Sequence, residues 1–388
     1  MTKKLYYTKA LLKNELDKCL SCKDKPCQLA CPVGCDPNFF IKKAKENDFL
    51  SAAKSIREKN PLGEICGLVC PSKFCMQACT RSKMDYPVNI KKIQATILNE
   101  VSAKNADVRE KRKEKIAVIG AGPAGIGAAV TFVKNGFSCT LFDQNEKIGG
   151  MINLIPSSRL PIKVIDKEFS SILSLKNLTV KTNEKITNPI ILLNKGYDYV
   201  VMATGQGQAK ELNISGEEYM VDWVKYLKQP NCFLPLKKVA VIGAGNVALD
   251  CVNILKMQGV NDIEMFMRRP LYLMRIDKER VMELIEEKVN LHPNMAPVKI
   301  EKKGKSFNIV SAKTILKDDE LIQTKEESLY EGFDLVINAI GGKSDNQVQH
   351  QNIFYAGECK MKASSVVESL ADGIQTAYKI MNPLLKKK

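Results

Sequence analysis

The sequence of 388 residues has few histidines, few aromatic side chains and no long apolar run. Its two histidines, His292 and His350, stand in unrelated contexts, and there is no G-x-S-x-G motif and no P-loop. Hydrolytic and phosphoryl-transfer chemistry are therefore not predicted. No apolar stretch reaches the about 20 residues of a membrane-spanning helix, so no membrane association is expected. The first residues show no signal-peptide pattern, which favours a cytoplasmic protein.

The chain carries an excess of positive charge, with 59 Lys and Arg against 43 Asp and Glu. Aromatic residues make up only 6% of it, and no basic stretch is interleaved with aromatic side chains. Nucleic-acid binding is therefore not predicted. A basic surface also suits acidic partners such as dinucleotides or an acidic electron-transfer protein.

Cysteine is distributed very unevenly along the chain. Nine of the thirteen cysteines lie in the first 79 residues. Their odd total and the expected reducing compartment argue against a disulfide framework. Two runs share the spacing C-x4-C-x3-C, and Cys19 precedes the first of them. The runs are Cys22, Cys27, Cys31 and Cys70, Cys75, Cys79.

Tandem runs of this kind resemble those of bacterial ferredoxins, in which the last cysteine of each run binds the other run's cluster. This pattern predicts two [4Fe–4S] clusters. The first would be held by Cys19, Cys22, Cys27 and Cys79. The second would be held by Cys31, Cys70, Cys75 and one further ligand, for which the spacing leaves Cys66 and Cys35 open. Zinc is the alternative, but it is disfavoured because the chain has only one CxxC pair here.

Two strand–turn–helix units follow, with their first glycines 123 residues apart. Each has the glycine turn that lets a pyrophosphate approach a helix N-terminus. In the first unit the predicted residues are Gly120, Gly122, Pro123, Ala124 and Gly125, with Asp143 placed for a ribose hydroxyl. In the second unit they are Gly243, Gly245, Asn246, Val247 and Ala248. The expected fold class is α/β, with two Rossmann-like dinucleotide-binding domains preceded by an α-helical iron–sulfur domain.

The strand that follows the helix of the second unit reads NDIEMFMRRP, and no carboxylate stands at its end. An acidic residue at that point would bind the ribose 2′-hydroxyl of NAD, whereas arginine accommodates the 2′-phosphate of NADP. Arg268, Arg269 and Arg275 stand there instead. The sequence therefore favours NADPH over NADH.

Several segments together resemble the N-terminal half of dihydropyrimidine dehydrogenases, which bacteria encode as a separate subunit, and the related small subunit of glutamate synthase. They are CGLVCPSKFCMQACT, PVNIKKIQ, the stretch after Gly149 and Gly150, YAGE, and SSVVESLADG. The resemblance implies that Gln94 is the last ligand of the second cluster, where glutamate synthase subunits carry an acidic residue. It also implies an FAD site at the first unit, including Gly149, Gly150, Gly205, Gly357 and Glu358. The family usually has Asp where Glu358 stands.

The resemblance implies an NAD(P)H-dependent oxidoreductase that passes electrons from NADPH through FAD and two clusters to a partner. The expected partner is an FMN-containing dihydropyrimidine dehydrogenase subunit or a ferredoxin-like acceptor. The alternatives are the small subunit of glutamate synthase, another complex that uses this module, and a non-catalytic interaction protein that keeps the fold. No side chain is predicted as a catalytic acid or base, because the cofactors supply the chemistry. The expected domains are the iron–sulfur domain at 1–110, the two parts of the FAD-binding domain at 111–220 and 343–388, and the NAD(P)H-binding domain at 221–342.

Overall fold

The computed structural model describes residues 5–101, 110–274, 276–318, 320–344, 347–360 and 364–385. Arg275, predicted above to select the cofactor, lies outside these residues. The chain forms two compact units, one of Met1–Gly205 with Ser344–Lys388 and the other of Gln206–Lys343. The second unit begins ahead of residue 221, and the four domain limits given above stay a prediction. No helix of the described residues is long and apolar enough to cross a bilayer.

The first hundred residues are helical and enclose the cysteine runs. Side chains of Thr8, Asp36, Asp48 and Asn89 each accept a hydrogen bond from a backbone N–H at the start of a helix, which fixes where those helices begin. Apolar residues at helical spacing form one core between the helices. The helices are α1 (Lys9–Asp17), α2 (Pro26–Leu29), α3 (Pro37–Lys45), α4 (Phe49–Lys59), α5 (Gly63–Val69) and α6 (Ile90–Glu100).

The next segment alternates strands and helices, as expected for a dinucleotide-binding unit. All but the first residue of its opening strand are buried, so the strand lies in the middle of the sheet. Its elements are β1 (Lys115–Ile119), α7 (Pro123–Lys134), β2 (Ser138–Phe142), α8 (Ile162–Leu173), β3 (Leu178–Lys181), α9 (Ile190–Asn194) and β4 (Tyr199–Met202).

The second unit repeats the design and adds a long antiparallel sheet. Its elements are β5 (Gln208–Ala209), β6 (Val221–Asp222), α10 (Trp223–Lys228), β7 (Lys238–Ile242), α11 (Asn246–Met257), β8 (Asp262–Met267), α12 (Lys278–Glu286), β9 (Asn290–Pro293), β10 (Met295–Lys303), β11 (Ser306–Lys317), β12 (Glu320–Phe333), β13 (Leu335–Asn338) and β14 (Gly342–Lys343). A parallel sheet has the order β6-β13-β7-β8-β9, and β10, β11 and β12 form the antiparallel sheet.

The chain then returns to complete the first unit with β15 (Ile353–Tyr355) and α13 (Val366–Leu385). The strand β15 pairs in parallel with β4, and the finished sheet has the order β15-β4-β1-β2-β3. The helix α13 packs on α7 so closely that a Cβ atom on Gly373 would overlap the carbonyl oxygen of Ala124. The first unit is therefore built from two separate parts of the sequence.

Candidate cofactor-binding sites

Three loops meet at the carboxyl edge of the first parallel sheet, after β1, β4 and β15. Gly120 has φ +98°, and a Cβ atom there would overlap the backbone of Ala203 in the loop after β4. A Cβ atom on Gly125 would overlap the carbonyl oxygen of Gly120. Only glycine permits this approach of two loops and a helix, so the glycine pattern closes the turn as predicted from the sequence.

Open space lies above the start of α7. Gly122 is the residue before the helix, Pro123 is its first residue, and a Cβ atom on Gly122 would have no atom within 4 Å. A Cβ atom on Gly150 would lie 3.1 Å from the Cα atom of Gly122, so the second glycine pair borders the same space. Gly205, with φ +70°, also faces open space. A helix N-terminus under unfilled space is suited to a pyrophosphate, so these residues fit FAD.

The two predicted carboxylates of this site already have hydrogen-bond partners. Asp143 is buried and accepts from the backbone N–H of Ala121 at 2.7 Å and from Asn145. Glu358 accepts from the backbone N–H of Ser364 at 2.6 Å, and burial raises the pKa of its carboxyl. Both carboxylates thus brace the loops that border the open space. Their contacts with a nucleotide stay a prediction.

The second unit has the same arrangement around Gly243. A Cβ atom on Gly243 would overlap the backbone of Ala339, which follows β13. Gly245 precedes α11, and a Cβ atom there would meet nothing within 4 Å. Asn246 and Val247 open the helix, and Ala248 is buried behind them. This open helix N-terminus is the predicted place of the nicotinamide dinucleotide's phosphates.

Arg268 and Arg269 directly follow β8, at the same carboxyl edge of the sheet. The carbonyl of Arg268 accepts a hydrogen bond of 2.6 Å from the hydroxyl of Thr314, on β11. The carbonyl of Arg269 accepts from the backbone N–H of Asn294. The added antiparallel sheet thus holds the arginine segment in place. Thr314 was not predicted, since no local motif marks it.

Four cysteines, Cys19 and three members of the two runs, line one cavity. They are Cys19, Cys22, Cys27 and Cys79, the predicted ligands of the first cluster. Burial, and then the nearby thiols of Cys79 and Cys19, raise the pKa of Cys27 to about 11. Crowded thiols that resist ionisation become thiolates readily only when a cation binds them. The chemistry and placement of these four donors fit a cluster.

A second group of thiols surrounds Cys31. Burial, and then the thiols of Cys31 and Cys27, raise the pKa of Cys75 to about 12. Burial also raises the pKa of Cys70, with the thiols of Cys66, Cys75 and Cys31 adding to it. The three predicted cysteine ligands of the second cluster are therefore neighbours, and Cys66 is buried beside them.

Gln94 lies on α6 where that helix packs against α5. Its side chain is buried, and its amide nitrogen donates a hydrogen bond of 2.6 Å to the carbonyl of Gly63. This bond fixes the nitrogen and leaves the amide oxygen as the donor atom for a metal. One turn earlier, the amine of Lys91 donates to the carbonyl of Cys70 at 3.1 Å, so this face of α6 borders the second cysteine run. Gln94 as a ligand stays a prediction, with Cys66 and Cys35 as the alternatives.

A single zinc ion is a poor match for these thiols. Across the described ranges, no three side chains of His, Cys, Asp or Glu converge as ligands of one metal ion. A tetrahedral zinc site with Zn–S bonds of about 2.3 Å brings its sulfurs within roughly 4 Å of one another. In a [4Fe–4S] cluster each thiolate binds a different iron, so the sulfurs stand farther apart. A cluster therefore does not require its four thiols to converge on one point.

Two family models match the chain in consecutive stretches. Residues 2–106 match the dihydropyrimidine dehydrogenase domain II, 4Fe–4S cluster. Residues 114–377 match the pyridine nucleotide-disulphide oxidoreductases. Together with the two glycine turns, these matches confirm the predicted fold class and the predicted cofactor classes, which are flavin, nicotinamide dinucleotide and [4Fe–4S] clusters.

The chain is similar to whole subunits of known enzymes. It is 29% identical over 390 residues to the NAD-dependent dihydropyrimidine dehydrogenase subunit PreT of Escherichia coli K12, covering 96% of this chain and 94% of that protein. It is 26% identical to the small chain of NADPH glutamate synthase of the same organism, covering 97% and 92%. In fold it is similar to Mycobacterium tuberculosis FprA in complex with NADPH, with a TM-score of 0.61 and 17% identity, covering 71% and 86%. The chain therefore belongs to the pyridine nucleotide-disulphide oxidoreductase family, as an NAD(P)H-dependent flavoprotein with an iron–sulfur domain in its first hundred residues.

Proposed function

We propose that this chain is an electron-input subunit that takes electrons from NADPH and passes them to an FMN-containing dihydropyrimidine dehydrogenase subunit. FAD supplies the conversion of a hydride into single electrons, which two [4Fe–4S] clusters conduct. The chain's own residues bind these groups, separate them and hold them in order. The observation that carries the proposal is the contact of Cys70, a predicted ligand of the second cluster, with the apolar core of the flavin-binding part.

The second thiol group adjoins the flavin-binding part of the first unit. Cys66 is a member of the apolar core that α5 shares with α7 and α8, and Cys70 packs against it. Cys31 and Cys75 of the second group pack against the core of the helical domain, as do Cys19, Cys27 and Cys79 of the first group. The contact of Cys70 with the flavin-side core supports an order in which the second cluster is nearer the flavin and the first cluster delivers electrons outward.

The cavity of the first thiol group opens among exposed residues. Leu20, which lines it, is 46% exposed, and Ser21, Lys23 and Asp24 next to the thiols are exposed as well. A partner that docks on this side would therefore come close to the first cluster without entering the apolar core.

The identity of the partner is inferred from one ligand. Gln94 stands where the resemblance implies glutamine in dihydropyrimidine dehydrogenases and an acidic residue in glutamate synthase subunits. A neutral amide leaves the second cluster one negative charge lighter than a carboxylate would, which raises its potential. The glutamate synthase small subunit remains the second candidate, because similarity to it spans almost the same length.

The proposed donor is NADPH because arginines follow β8. The relatives include both an NAD-dependent and an NADPH-dependent enzyme, so they do not decide the question. Arg268 and Arg269 offer cationic hydrogen-bond donors that a 2′-phosphate can use and a hydroxyl cannot. We also propose a cytoplasmic location, because an iron–sulfur domain built on thiolates requires a reducing compartment.

The test is a reconstitution with purified anaerobic protein. NADPH should bleach the flavin and cluster absorption, and electron paramagnetic resonance should count two clusters. Adding an FMN-containing dihydropyrimidine dehydrogenase subunit should give uracil-dependent NADPH oxidation. Adding a glutamate synthase large subunit with its substrates should not. Turnover with the glutamate synthase large subunit, and none with the FMN-containing subunit, would establish the second candidate. An absence of iron would refute both candidates.

A variant of the first cluster provides a control for the electron path. Cys79→Ser should keep NADPH-dependent reduction of a small dye that accepts electrons from flavin. It should lose electron transfer to the partner subunit. Unchanged transfer to the partner would contradict the proposed order of the clusters.

A further inference from the structure

Three consecutive residues of α8, Lys167, Glu168 and Phe169, together contact the helices that carry the cysteines and a loop of the flavin site. Phe169 covers the flavin loop, because a Cβ atom on Gly149 would lie 2.5 Å from its ring. Gly149 has φ +113° and its backbone N–H donates to the carbonyl of Ala121, so the loop is fixed at this point. One residue of α8 therefore sets the position of the loop that carries the second glycine pair.

The residue two positions earlier reaches the cluster helices. The amine of Lys167 donates to the carboxylate of Glu64 on α5 at 2.9 Å and to the carbonyl of Leu98 on α6 at 2.7 Å. Glu64 is buried and also accepts a hydrogen bond from the hydroxyl of Tyr6. This lysine ties α5 and α6 to the helix that covers the flavin loop.

Glu168 lies between these two residues and is itself buried, with 7% of its surface exposed. One carboxylate oxygen accepts from the backbone N–H of Glu64 at 2.7 Å, and the other accepts from that of Ile65 at 3.0 Å. The first N–H groups of a helix have no partner within the helix. The carboxylate therefore accepts hydrogen bonds from two of these N–H groups in the first turn of α5.

The short helix α5 connects two predicted ligands of the second cluster. It begins at Gly63, whose carbonyl receives the amide of Gln94, and it ends at Val69, directly before Cys70. A helix of seven residues is too short to be stable by itself, so its position depends on tertiary contacts, among them the two hydrogen bonds from Glu168 to its first turn. A shift of α5 at Glu168 would displace Cys70, which follows the helix, and the carbonyl of Gly63, which holds the amide of Gln94.

We propose that Glu168 is a positioning residue for the second cluster. Its carboxylate fixes α5, and through α5 it fixes Cys70 and Gln94, at a set place relative to the flavin loop under Phe169. The inference rests on the proposed function, since it takes Gln94 as a ligand and the flavin as the source of electrons. Electron transfer between two groups depends steeply on their separation, so a small displacement of α5 slows it.

The variant Glu168→Gln tests this role with little change in size. Glutamine offers one accepting oxygen, and its amide N–H groups oppose the second backbone N–H, so one of the two bonds is lost. The matched control is Asp166→Asn, which removes an exposed carboxylate from the same helix. Both variants are purified anaerobically with all cofactors. Their flavin and cluster bleaching by NADPH is followed by stopped flow, and each cluster is examined by electron paramagnetic resonance.

The expected result is specific to one cluster. Glu168→Gln should bleach its flavin at the wild-type rate, reduce its clusters at least fivefold more slowly, and alter or lose only the signal of the second cluster. Asp166→Asn should match wild type in every respect. Unchanged signals and rates in Glu168→Gln would overturn the proposal. Equal damage to both clusters and to flavin binding would also overturn it, because it would show a general role in folding. If wild type itself lacks two clusters, the proposed function has failed instead.

Discussion

Replacing Arg268 and Arg269 with alanine should weaken the use of NADPH far more than that of NADH. The two residues directly follow β8. In the parallel sheet β8 is the neighbour of β7, the strand that precedes the open N-terminus of α11. Thr314 and Asn294 hold their backbone, so truncating the side chains should leave the segment in place. The substitutions therefore remove charge and hydrogen-bond donors without displacing the loop.

The size of the effect follows from how exposed the site is. A hydrogen bond to a charged group contributes about 1.5–3 kcal/mol. Arg268 is exposed, so water competes for the phosphate and the lower end of this range applies. About 1.5 kcal/mol corresponds to roughly a tenfold change. Each single variant should thus lose about tenfold in kcat/KM for NADPH. The double variant should lose more than either single variant, but the two effects are not expected to add, because both side chains bind the same phosphate.

The assay is steady-state reduction of a dye, with NADPH and NADH compared in parallel. The values for NADH should change less than about twofold, because NADH has no 2′-phosphate to lose contact with. The matched control is Lys313→Ala, which removes a surface cation that pairs with Glu326 at 3.0 Å on the added sheet of the same unit. Equal losses with both dinucleotides, or a wild-type preference for NADH, would refute the assignment of the phosphate site.

Three further pairs of substitutions test the residues that form or hold the cofactor sites. Thr314→Val should reduce the preference for NADPH severalfold, because the arginine segment loses its hydroxyl hydrogen bond; Thr314→Ser should restore it, and an unchanged preference would contradict the idea. Gln94→Ala should disturb one cluster in electron paramagnetic resonance while Cys66→Ser leaves both intact, and the reverse pattern would make the cysteine the ligand. Gly125→Ala should abolish flavin binding while iron content is retained, because the added methyl has no space in the turn; Gly207→Ala, at a glycine surrounded by open space, should bind flavin normally.

The features that could be predicted from the sequence are those whose chemistry requires particular residue types at fixed spacings. The glycine turns were identified because a strand, a tight turn and a helix N-terminus must follow one another within a few residues. The sequence predicted that Cys79 binds the same cluster as Cys19, Cys22 and Cys27, because in tandem runs the last cysteine of each run binds the other run's cluster. The four residues line one cavity, and their role as ligands of one cluster stays a prediction.

The features that were missed depend on contacts between distant residues. Glu168 binds backbone groups 103 and 104 residues earlier in the chain, and Thr314 binds a carbonyl 46 residues earlier. In the sequence they are an ordinary acid in a helical pattern and an ordinary threonine in a strand. The sheet of β10, β11 and β12 was also missed. Its register shifts after Pro297 and again after Ala312, and these irregularities interrupt the alternation of apolar and polar residues.

The split of the first unit has a consequence for biosynthesis. Its sheet gains β15, and α7 gains its cover from α13, only when the last forty residues of the chain have been translated. The helical domain, by contrast, has all of its cysteines within the first 79 residues. A nascent chain on the ribosome thus has all of the predicted cysteine ligands long before its flavin pocket can close, so iron delivery can begin at an early stage of translation whereas flavin insertion must wait for β15 and α13.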